Sequence, residues 1–240
     1  MARQYATQGA QLGLAGRNVA RLEALAISLN CDCTIHIADV RNAAAMQQAA
    51  QDFINKFGAP DIVIANAGVS RGTLTDHAED IPAFRVIVET NLLGLVHTFQ
   101  PFMQAMRQAG QGSLVGIASV AGLRGLPGAG AYSASKAAAI SYLESLRVEL
   151  ANSGITVTTI CPGYIKTPMT DVNTYPMPFL MEADAAACKM ARIIARKHRY
   201  AILPWQMALV GHLMKLIPAS LWDWAMKKAP HKPRLDWDWL

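Results

Sequence analysis

The chain has 240 residues, of which 52% are hydrophobic and 16% charged, so it carries enough apolar material for one well-packed domain over residues 1–240. Its net charge of +5 is mild and forms no dense basic stripe, which argues against a nucleic-acid partner. The cysteines neither form a paired framework nor stand at metal-ligand spacing. We therefore predict reduced thiols, a cytoplasmic location and no metal site for Cys31, Cys33, Cys161 and Cys188.

Short apolar runs alternate with longer stretches of helical periodicity. Residues 1–10 (MARQYATQGA) are typical of the end of an amphipathic helix. Buried strands are predicted at residues 11–15, 34–37, 62–65, 114–118 and 156–160. Helices are predicted at residues 19–29, 43–57, 83–109 and 132–152. Strands separated by such helices pair in parallel through right-handed crossovers, so we expect a single α/β domain with a Rossmann-like doubly wound parallel sheet.

Small or polar residues follow four of the predicted strands directly. They are Ala38-Asp39, Asn66-Ala67-Gly68, Ser119 and Pro162-Gly163. In an open parallel sheet, ligands bind at the carboxyl ends of the strands. This repetition predicts one binding cleft at that edge.

Tyr132 and Lys136 stand four residues apart at the start of a predicted helix, so they share a helix face. A free tyrosine titrates near 10, and bringing its pKa to about 7 requires about 4 kcal/mol. An ammonium about 4 Å from the phenolate supplies on the order of 4 kcal/mol at an effective dielectric constant near 20. The spacing thus fits a tyrosine that exchanges protons at neutral pH. A Tyr-x-x-x-Lys pair alone also occurs often by chance in ordinary helices.

Further motifs surround this pair in a characteristic order. Ser119 lies in Gly116-Ile-Ala-Ser-Val-Ala-Gly122, and Pro162-Gly-Tyr-Ile-Lys-Thr167 follows the next strand. Upstream stand Asp39-Val40, Asn66-Ala-Gly68 and the segment Thr-Asn-Leu-Leu-Gly94, which contains Asn91. From about residue 5 to about residue 170 the chain resembles the short-chain dehydrogenase/reductase family, whose members carry a Ser, a Tyr-x-x-x-Lys pair and a Pro-Gly turn in this order.

The resemblance implies roles for four catalytic residues. Tyr132 would give a proton to a carbonyl oxygen or take one from an alcohol. Ser119 would hold that oxygen near the nicotinamide. Lys136 would lower the pKa of Tyr132 and bind the nicotinamide ribose, and Asn91 would support a water that links Lys136 to solvent.

The resemblance also implies contacts to a nicotinamide cofactor, which supplies the hydride chemistry. The adenine contacts are Asp39 and Val40, and Ile165 and Thr167 would lie near the carboxamide and the pyrophosphate. The remaining contacts are Asn66, Ala67, Gly68, Tyr132, Lys136, Pro162 and Gly163.

Arg17 bears on the choice of cofactor. NAD-preferring relatives place an acidic residue at the end of the first visible strand, where Gly16 stands here and Arg17 follows. A guanidinium pairs with a 2′-phosphate, whereas a carboxylate repels it. We therefore expect NADP(H) to be favoured over NAD(H).

One family feature is missing from the sequence. Family members begin with a strand and a glycine-rich turn that cradles the pyrophosphate, and residues 1–10 contain neither. The favoured hypothesis is that the true start lies upstream. The alternative is a chain expressed as written, which would then be a weakened or inactive relative.

The C-terminal part gives weaker signals. Residues 171–204 fall where the family has its substrate lid and last strand, and an apolar pocket wall is expected from Met177, Phe179, Leu180 and Met181. In the extension of residues 205–240, the apolar stretch 205–226 is interrupted by His212, Lys215, Pro218 and Asp223, which argues against a spanning helix. Packing across a dimer or over the active site is favoured, and an amphipathic helix on a membrane surface is the alternative.

The resulting functional hypothesis is an oxidoreductase that moves a hydride between NADP(H) and a secondary alcohol or ketone, a fairly apolar one. By resemblance we expect a homodimer or homotetramer. The competing hypothesis is a non-catalytic or impaired binding protein of the same fold, because the glycine-rich nucleotide turn is missing.

Overall fold

The computed structural model describes residues 1–234. Residues 235–240, the end of the predicted extension, lie outside the described residues. The strands are β1 Leu12–Gly16, β2 Cys33–Ile37, β3 Ile62–Ala65, β4 Gly112–Ile117, β5 Ile155–Pro162 and β6 Tyr200–Leu203. The α-helices are α1 Ala2–Ala6, α2 Val19–Leu29, α3 Ala43–Phe57, α4 Ile81–Val88, α5 Gly94–Phe99, α6 Met103–Ala109, α7 Gly130–Glu149, α8 Pro168–Asp171, α9 Ala183–Ala195, α10 Trp205–Leu216 and α11 Ala219–Met226.

Every strand pair in the described part of the chain is parallel, which confirms the predicted sheet type. Strands β3, β4, β5 and β6 form one sheet in that order, and β1 pairs with β2. Within residues 1–234 no hydrogen-bonded pairing joins β1 to β3. The sheet is therefore divided at the position where the family resemblance leads us to expect a further central strand.

Helices cover both faces of the four-stranded sheet. Side chains alternate between the faces along β4, so Leu114 packs in a core cluster with Phe99 and Leu143, while Val115 packs with Ile194 on the opposite side. All five side chains are at most 2% exposed. The hydrophobic core thus holds the strand ends, and the residues that follow them, in fixed positions.

The predicted long helix at residues 83–109 is divided in the structure. It consists of α4, a π-helical turn at Glu89–Leu93, α5, a 3₁₀ turn at Gln100–Phe102 and α6. Pro101 lies in the 3₁₀ turn and has no N–H to donate to a regular helix. The π turn places Asn91 in the interior, where it is 1% exposed.

The C-terminal region forms two helices after β6, and no described helix is long and apolar enough to cross a membrane. Of the predicted pocket wall, Met181 is instead buried in the core cluster that contains Val115, because its backbone pairs with Ile165. Phe179 and Leu180 are 48% and 42% exposed, so in this structure they do not form the wall of an enclosed pocket.

Leu143 tests this account of the core. It lies on α7 against Gly116 of β4, where an added methyl group would overlap its side chain. We expect Leu143→Ala to lower the free energy of unfolding by about 2–5 kcal/mol, because a cavity would remain between α7 and β4. Urea denaturation measures the loss, with Val148→Ala, 66% exposed on the same helix, as the control. Equal losses in the two variants would contradict the packing described.

Candidate active site

The carboxyl ends of the strands carry the predicted site residues. Asp39 and Val40 follow β2, Asn66 to Gly68 follow β3, and Ser119 follows β4. The register aligns Ala65 with Gly116 and Gly116 with Thr159, so these ends lie at one edge of the sheet. Helix α7 carries Tyr132 and Lys136 in its first turns and packs against β5 and against the turn after Ser119.

The hydroxyl of Ser119 lies near the phenol of Tyr132 and acts to lower its pKa. Ser119 is the N-cap of the 3₁₀ turn Val120–Gly122, and its Oγ accepts from the amide of Ala121 at 3.1 Å. Gly122 lets this turn approach α7, because an added methyl group there would lie 2.7 Å from the carbonyl carbon of Lys136. The serine and tyrosine hydroxyls are thus close enough to share one substrate oxygen.

Lys136 is buried beneath this pair, with 4% of its surface exposed. Its Nζ donates to the carbonyl oxygen of Ile117 at 2.8 Å and lies 5.9 Å from the centre of the Tyr132 ring. Burial lowers the pKa of Lys136 to about 8, because a charged ammonium loses water there. The lysine therefore faces the end of β4 as well as the phenol.

The pKa of Tyr132 differs in direction from the sequence-based expectation. Burial raises the pKa of Tyr132, and the nearby Ser119 hydroxyl opposes that rise. Spacing alone gave the attraction between an ammonium and a phenolate but not the cost of removing the phenolate from water. In the absence of a ligand, the phenol is therefore held in its protonated form.

Asn91 connects the end of β3 to α7. Its Oδ1 accepts from the amide of Val69 at 2.8 Å, and its Nδ2 donates to the Val69 carbonyl at 3.0 Å and to the Ser135 hydroxyl at 2.9 Å. Ser135 in turn donates to the carbonyl of Tyr132 at 2.8 Å. A methyl group added at Gly68 would lie 3.2 Å from Asn91 Oδ1 and 3.4 Å from Lys136 Nζ, so these two side chains meet at bare backbone.

Two residues of this site were missed by the sequence analysis. Ser135 lies within the Tyr-x-x-x-Lys segment, three residues after Tyr132, and helical spacing alone could have placed it near the Tyr132 carbonyl. Cys161 is fully buried at the end of β5, where burial raises the pKa of its thiol and the nearby Tyr200 hydroxyl and Ser119 amide oppose that rise. No motif in the sequence indicated that Cys161 lies at this site.

Asp39 lies among cations. Arg41 holds its carboxylate in a two-pronged pair, with Nε–Oδ2 at 3.0 Å and Nη2–Oδ2 at 2.7 Å, and Arg17 Nη1 stands 3.9 Å from Oδ2. The hydrogen bonds from Arg41 lower the pKa of Asp39. The sequence analysis named Arg17 and Asp39 but not Arg41.

Val40 is fixed by contacts to α5. Its carbonyl accepts from His97 Nδ1 at 2.8 Å, and its side chain packs against Gly94, where a methyl group would lie 2.5 Å from Cγ2. Gly94 directly follows the π turn that carries Asn91. The two ends of the cleft are thus joined through one helix.

The remaining predicted contacts follow β5. The Gly163 amide donates to the Leu203 carbonyl at 2.7 Å, which fixes the turn that Pro162 opens. Thr167 is the N-cap of α8 in a capping box with Thr170. The structure therefore holds this turn at the same edge of the sheet as Ser119, since β4 and β5 are paired there.

The nicotinamide end of a dinucleotide cofactor fits these residues. The Lys136 ammonium carries three donors, of which the described residues accept one, at the Ile117 carbonyl. Gly68 leaves bare backbone beside it. A ribose hydroxyl would satisfy a remaining donor, and no group of three or more metal-ligating side chains occurs among residues 1–234.

Comparison with known proteins identifies the family. The short chain dehydrogenase model matches residues 1–176. An uncharacterized oxidoreductase of Myxococcus xanthus (strain DK1622) is 37% identical over 228 residues, covering 93% of this chain and 89% of that protein, and 11-beta-hydroxysteroid dehydrogenase 1A of Arabidopsis thaliana is 30% identical over 251 residues, covering 95% and 70%. The structure of an alcohol dehydrogenase from the archaeon Thermococcus sibiricus, complexed with 5-hydroxy-NADP, superposes with a TM-score of 0.75 at 25% identity, covering 84% of this chain and 88% of that one. The chain belongs to the short-chain dehydrogenase family of oxidoreductases.

Proposed function

We propose that the protein transfers a hydride between NADP(H) and a secondary alcohol or ketone, with Tyr132 as the proton donor or acceptor. The observation that carries this proposal is the placement of the Ser119 hydroxyl and the Tyr132 phenol at one strand end, beside the buried ammonium of Lys136. Such a pair of hydroxyls can hold one carbonyl oxygen between two donors. A helix built only for packing has no need for this arrangement.

Each of these residues has a distinct part in the proposed reduction. Ser119 donates to the substrate oxygen and holds it in place, and Tyr132 delivers the proton as negative charge develops on that oxygen. Lys136 binds the ribose and stabilises the phenolate left behind. Asn91 and Ser135 position the start of α7, since they hold the Tyr132 carbonyl through one hydrogen-bonded chain. The cofactor supplies the hydride when bound.

The raised pKa of Tyr132 agrees with a proton donor that is loaded before the reaction. Lys136, with a pKa of about 8, is mostly protonated at neutral pH, and its charge stabilises an anion that forms beside it. Reduction places that anion on the phenol oxygen. The proposed direction of charge therefore matches the two shifts, although oxidation uses the same groups in reverse.

The preference for NADP(H) rests on the cations around Asp39. Arg17 and Arg41 both approach its carboxylate, so the free site presents two guanidinium groups at the end of the β1–β2 pair. A 2′-phosphate can replace the carboxylate as their partner. The alcohol dehydrogenase of T. sibiricus is described in complex with an NADP derivative, which supports the same choice.

Assembly, location and membrane contact remain predictions. The described part of α10 and α11 exposes a set of large apolar side chains, namely Trp205, Leu209, Leu213, Leu216, Leu221 and Trp224. Both a second copy in a homodimer or homotetramer and a membrane surface fit such a face. The substrate is proposed to be a fairly apolar ketone or alcohol in a cytoplasmic enzyme.

Tyr132→Phe tests the proposed proton transfer. We expect kcat with NADPH and a ketone to fall about 10²–10⁴-fold, because the phenol proton is lost while the ring remains. NADPH should still raise the melting temperature of the variant. Tyr142→Phe, on the same helix but packed against the core, is the matched control and should keep its activity. If NADPH stabilises neither the wild type nor the variant, the result supports the alternative of a non-catalytic or impaired binding protein.

Arg17→Gln tests the cofactor preference. We expect KM for NADPH to rise about 10–100-fold and KM for NADH to change little, because a charge-assisted hydrogen bond contributes about 1.5–3 kcal/mol. Steady-state kinetics with both cofactors measure the ratio. The control is Arg21→Gln, an exposed arginine one helical turn further along α2. An equal change for both cofactors would contradict a role for Arg17 in binding the 2′-phosphate.

Lys136→Met tests the burial of the ammonium. The pKa is about 8 in the folded, cofactor-free protein and about 10.4 in an unfolded chain, so between these values the unfolded state binds more protons. Stability therefore rises with pH across this window. Relative to the variant, the wild type should gain up to about 3 kcal/mol of unfolding free energy between pH 7 and 10.5.

Urea denaturation at each pH measures this difference. Lys189→Met, exposed on α9, is the control and should show no such pH dependence relative to the wild type. A difference between wild type and Lys136→Met that stays constant over the window would mean that the ammonium is solvated.

A further inference from the structure

The chain after α11 contacts loops that follow the carboxyl ends of the strands. The carbonyl of Pro233 accepts from the amide of Gly72 at 3.2 Å, and Lys232 Nζ donates to the carbonyl of Met169 at 3.1 Å. Gly72 belongs to the loop after β3, and Met169 lies in α8 after β5. The segment of residues 229–234 therefore spans two of the loops that surround the catalytic groups.

A third loop is contacted through a glycine. A methyl group added at Gly128 would lie 2.7 Å from Cβ of His231, and one added at Gly72 would overlap the carbonyl oxygen of Lys232. Gly128 also has a backbone φ of +68°, a conformation that residues with a side chain rarely adopt. Both loops thus have bare backbone where the segment lies against them.

These loops are directly connected to the catalytic residues. Thr73 forms a bridge to Ala129, and the Thr73 amide donates to the Gly128 carbonyl at 3.0 Å. Ala129 is the N-cap of α7, three residues before Tyr132. A segment that covers Gly72 and Gly128 therefore lies beside the place where a substrate would approach the phenol.

Arg234, the last residue of the segment, forms ion pairs with Asp80 and Glu79. Its Nε donates to Asp80 Oδ2 at 2.8 Å, and its Nη2 donates to Asp80 Oδ1 at 3.1 Å and to Glu79 Oε1 at 3.0 Å. Asp80 is 5% exposed and also accepts from the amide of Leu74 at 2.8 Å. A two-pronged pair with a buried carboxylate is a much stronger restraint than an exposed ion pair.

Arg124 holds the two helices that precede the segment. Its Nη1 donates to the carbonyls of Met214 and Ile217 at 2.9 and 2.8 Å, and its guanidinium lies 4.9 Å from the centre of the Trp222 ring. Arg124 belongs to the loop between Ser119 and α7. The helices α10 and α11 are thus attached to the loop that follows the catalytic serine.

We propose that residues 229–234 form a roof over the substrate end of the cleft, latched by Arg234 on Asp80 and Glu79, and that this roof selects carbonyl compounds by size. The selection rests on the proposed reductase function, whereas the latch does not. With the latch closed, compact ketones reach Tyr132 and bulky ones are hindered. Arg234 is a positioning residue, because its contacts are to Asp80 and Glu79 and not to the reacting atoms.

The first experiment measures the latch without any turnover. In Arg234→Gln we expect hydrogen exchange of the Gly72 amide to increase about tenfold or more, because its bond to Pro233 opens when the charge-assisted pair is lost. Mass spectrometry of peptides that contain residue 72 measures the rate. Lys228→Gln, an exposed cation just ahead of the roof, is the control. Equal exchange in the two variants would overturn the latch.

The second experiment measures selection. We expect Gly72→Ala and Arg234→Gln to raise the ratio of kcat/KM for trans-1-decalone to that for cyclohexanone about tenfold, with NADPH affinity unchanged. Gly125→Ala, with open space around the added methyl group in a neighbouring loop, should leave the ratio unchanged.

Faster exchange with an unchanged ratio would overturn selection by the roof. A wild-type protein that reduces no ketone would contradict the proposed function, and the exchange comparison would still accept or reject the latch.

Discussion

The burial of the Lys136 ammonium is the constraint around which the site is arranged. A cation at 4% exposure requires hydrogen-bond acceptors and close backbone, and the Ile117 carbonyl supplies the first. Gly68 supplies the second, since a methyl group there would lie 3.4 Å from Lys136 Nζ. Gly122 has a different part: a methyl group there would overlap the backbone of Lys136, so bare backbone at Gly122 lets the serine turn pack onto α7.

Much of the fold could be predicted because its signals are local. Short apolar runs located β3 at its observed bounds, residues 62–65, and the other predicted strands within two residues at either end. The helical period located α2 and α3 at their observed bounds. The interruption of the helix at residues 83–109 carried no such signal. The π turn depends on Asn91 reaching Val69 and Ser135, which are far away in sequence. The periodicity of a sequence carries no information about contacts between residues so far apart in the chain.

The grouping of the candidate site residues was predictable, and their electrostatics was less so. Motif order placed Ser119, Tyr132 and Lys136 together, and the structure brings these candidate residues close to one another. The pKa of Tyr132 could not be obtained from spacing, because desolvation depends on how many neighbours exclude water. The pairing of Asp39 with Arg41 was not predicted for a different reason. Arg17 was also a possible partner of Asp39 in the sequence, and only the side-chain geometry shows that Arg41 is the nearer one.

The division of the sheet shows why the cofactor end and the catalytic end need a connection other than strand pairing. Within residues 1–234, β1 and β2 share no hydrogen bonds with the other strands. They are joined to them by side-chain packing between α3 and the region after α5, where the rings of Phe53 and Phe102 meet at 6.0 Å, and by Val40 against α5. A dinucleotide that spans Arg17 and Lys136 would add a second link between the halves. Cofactor binding should therefore stabilise the fold as a whole, since it favours only the state in which both halves are in place.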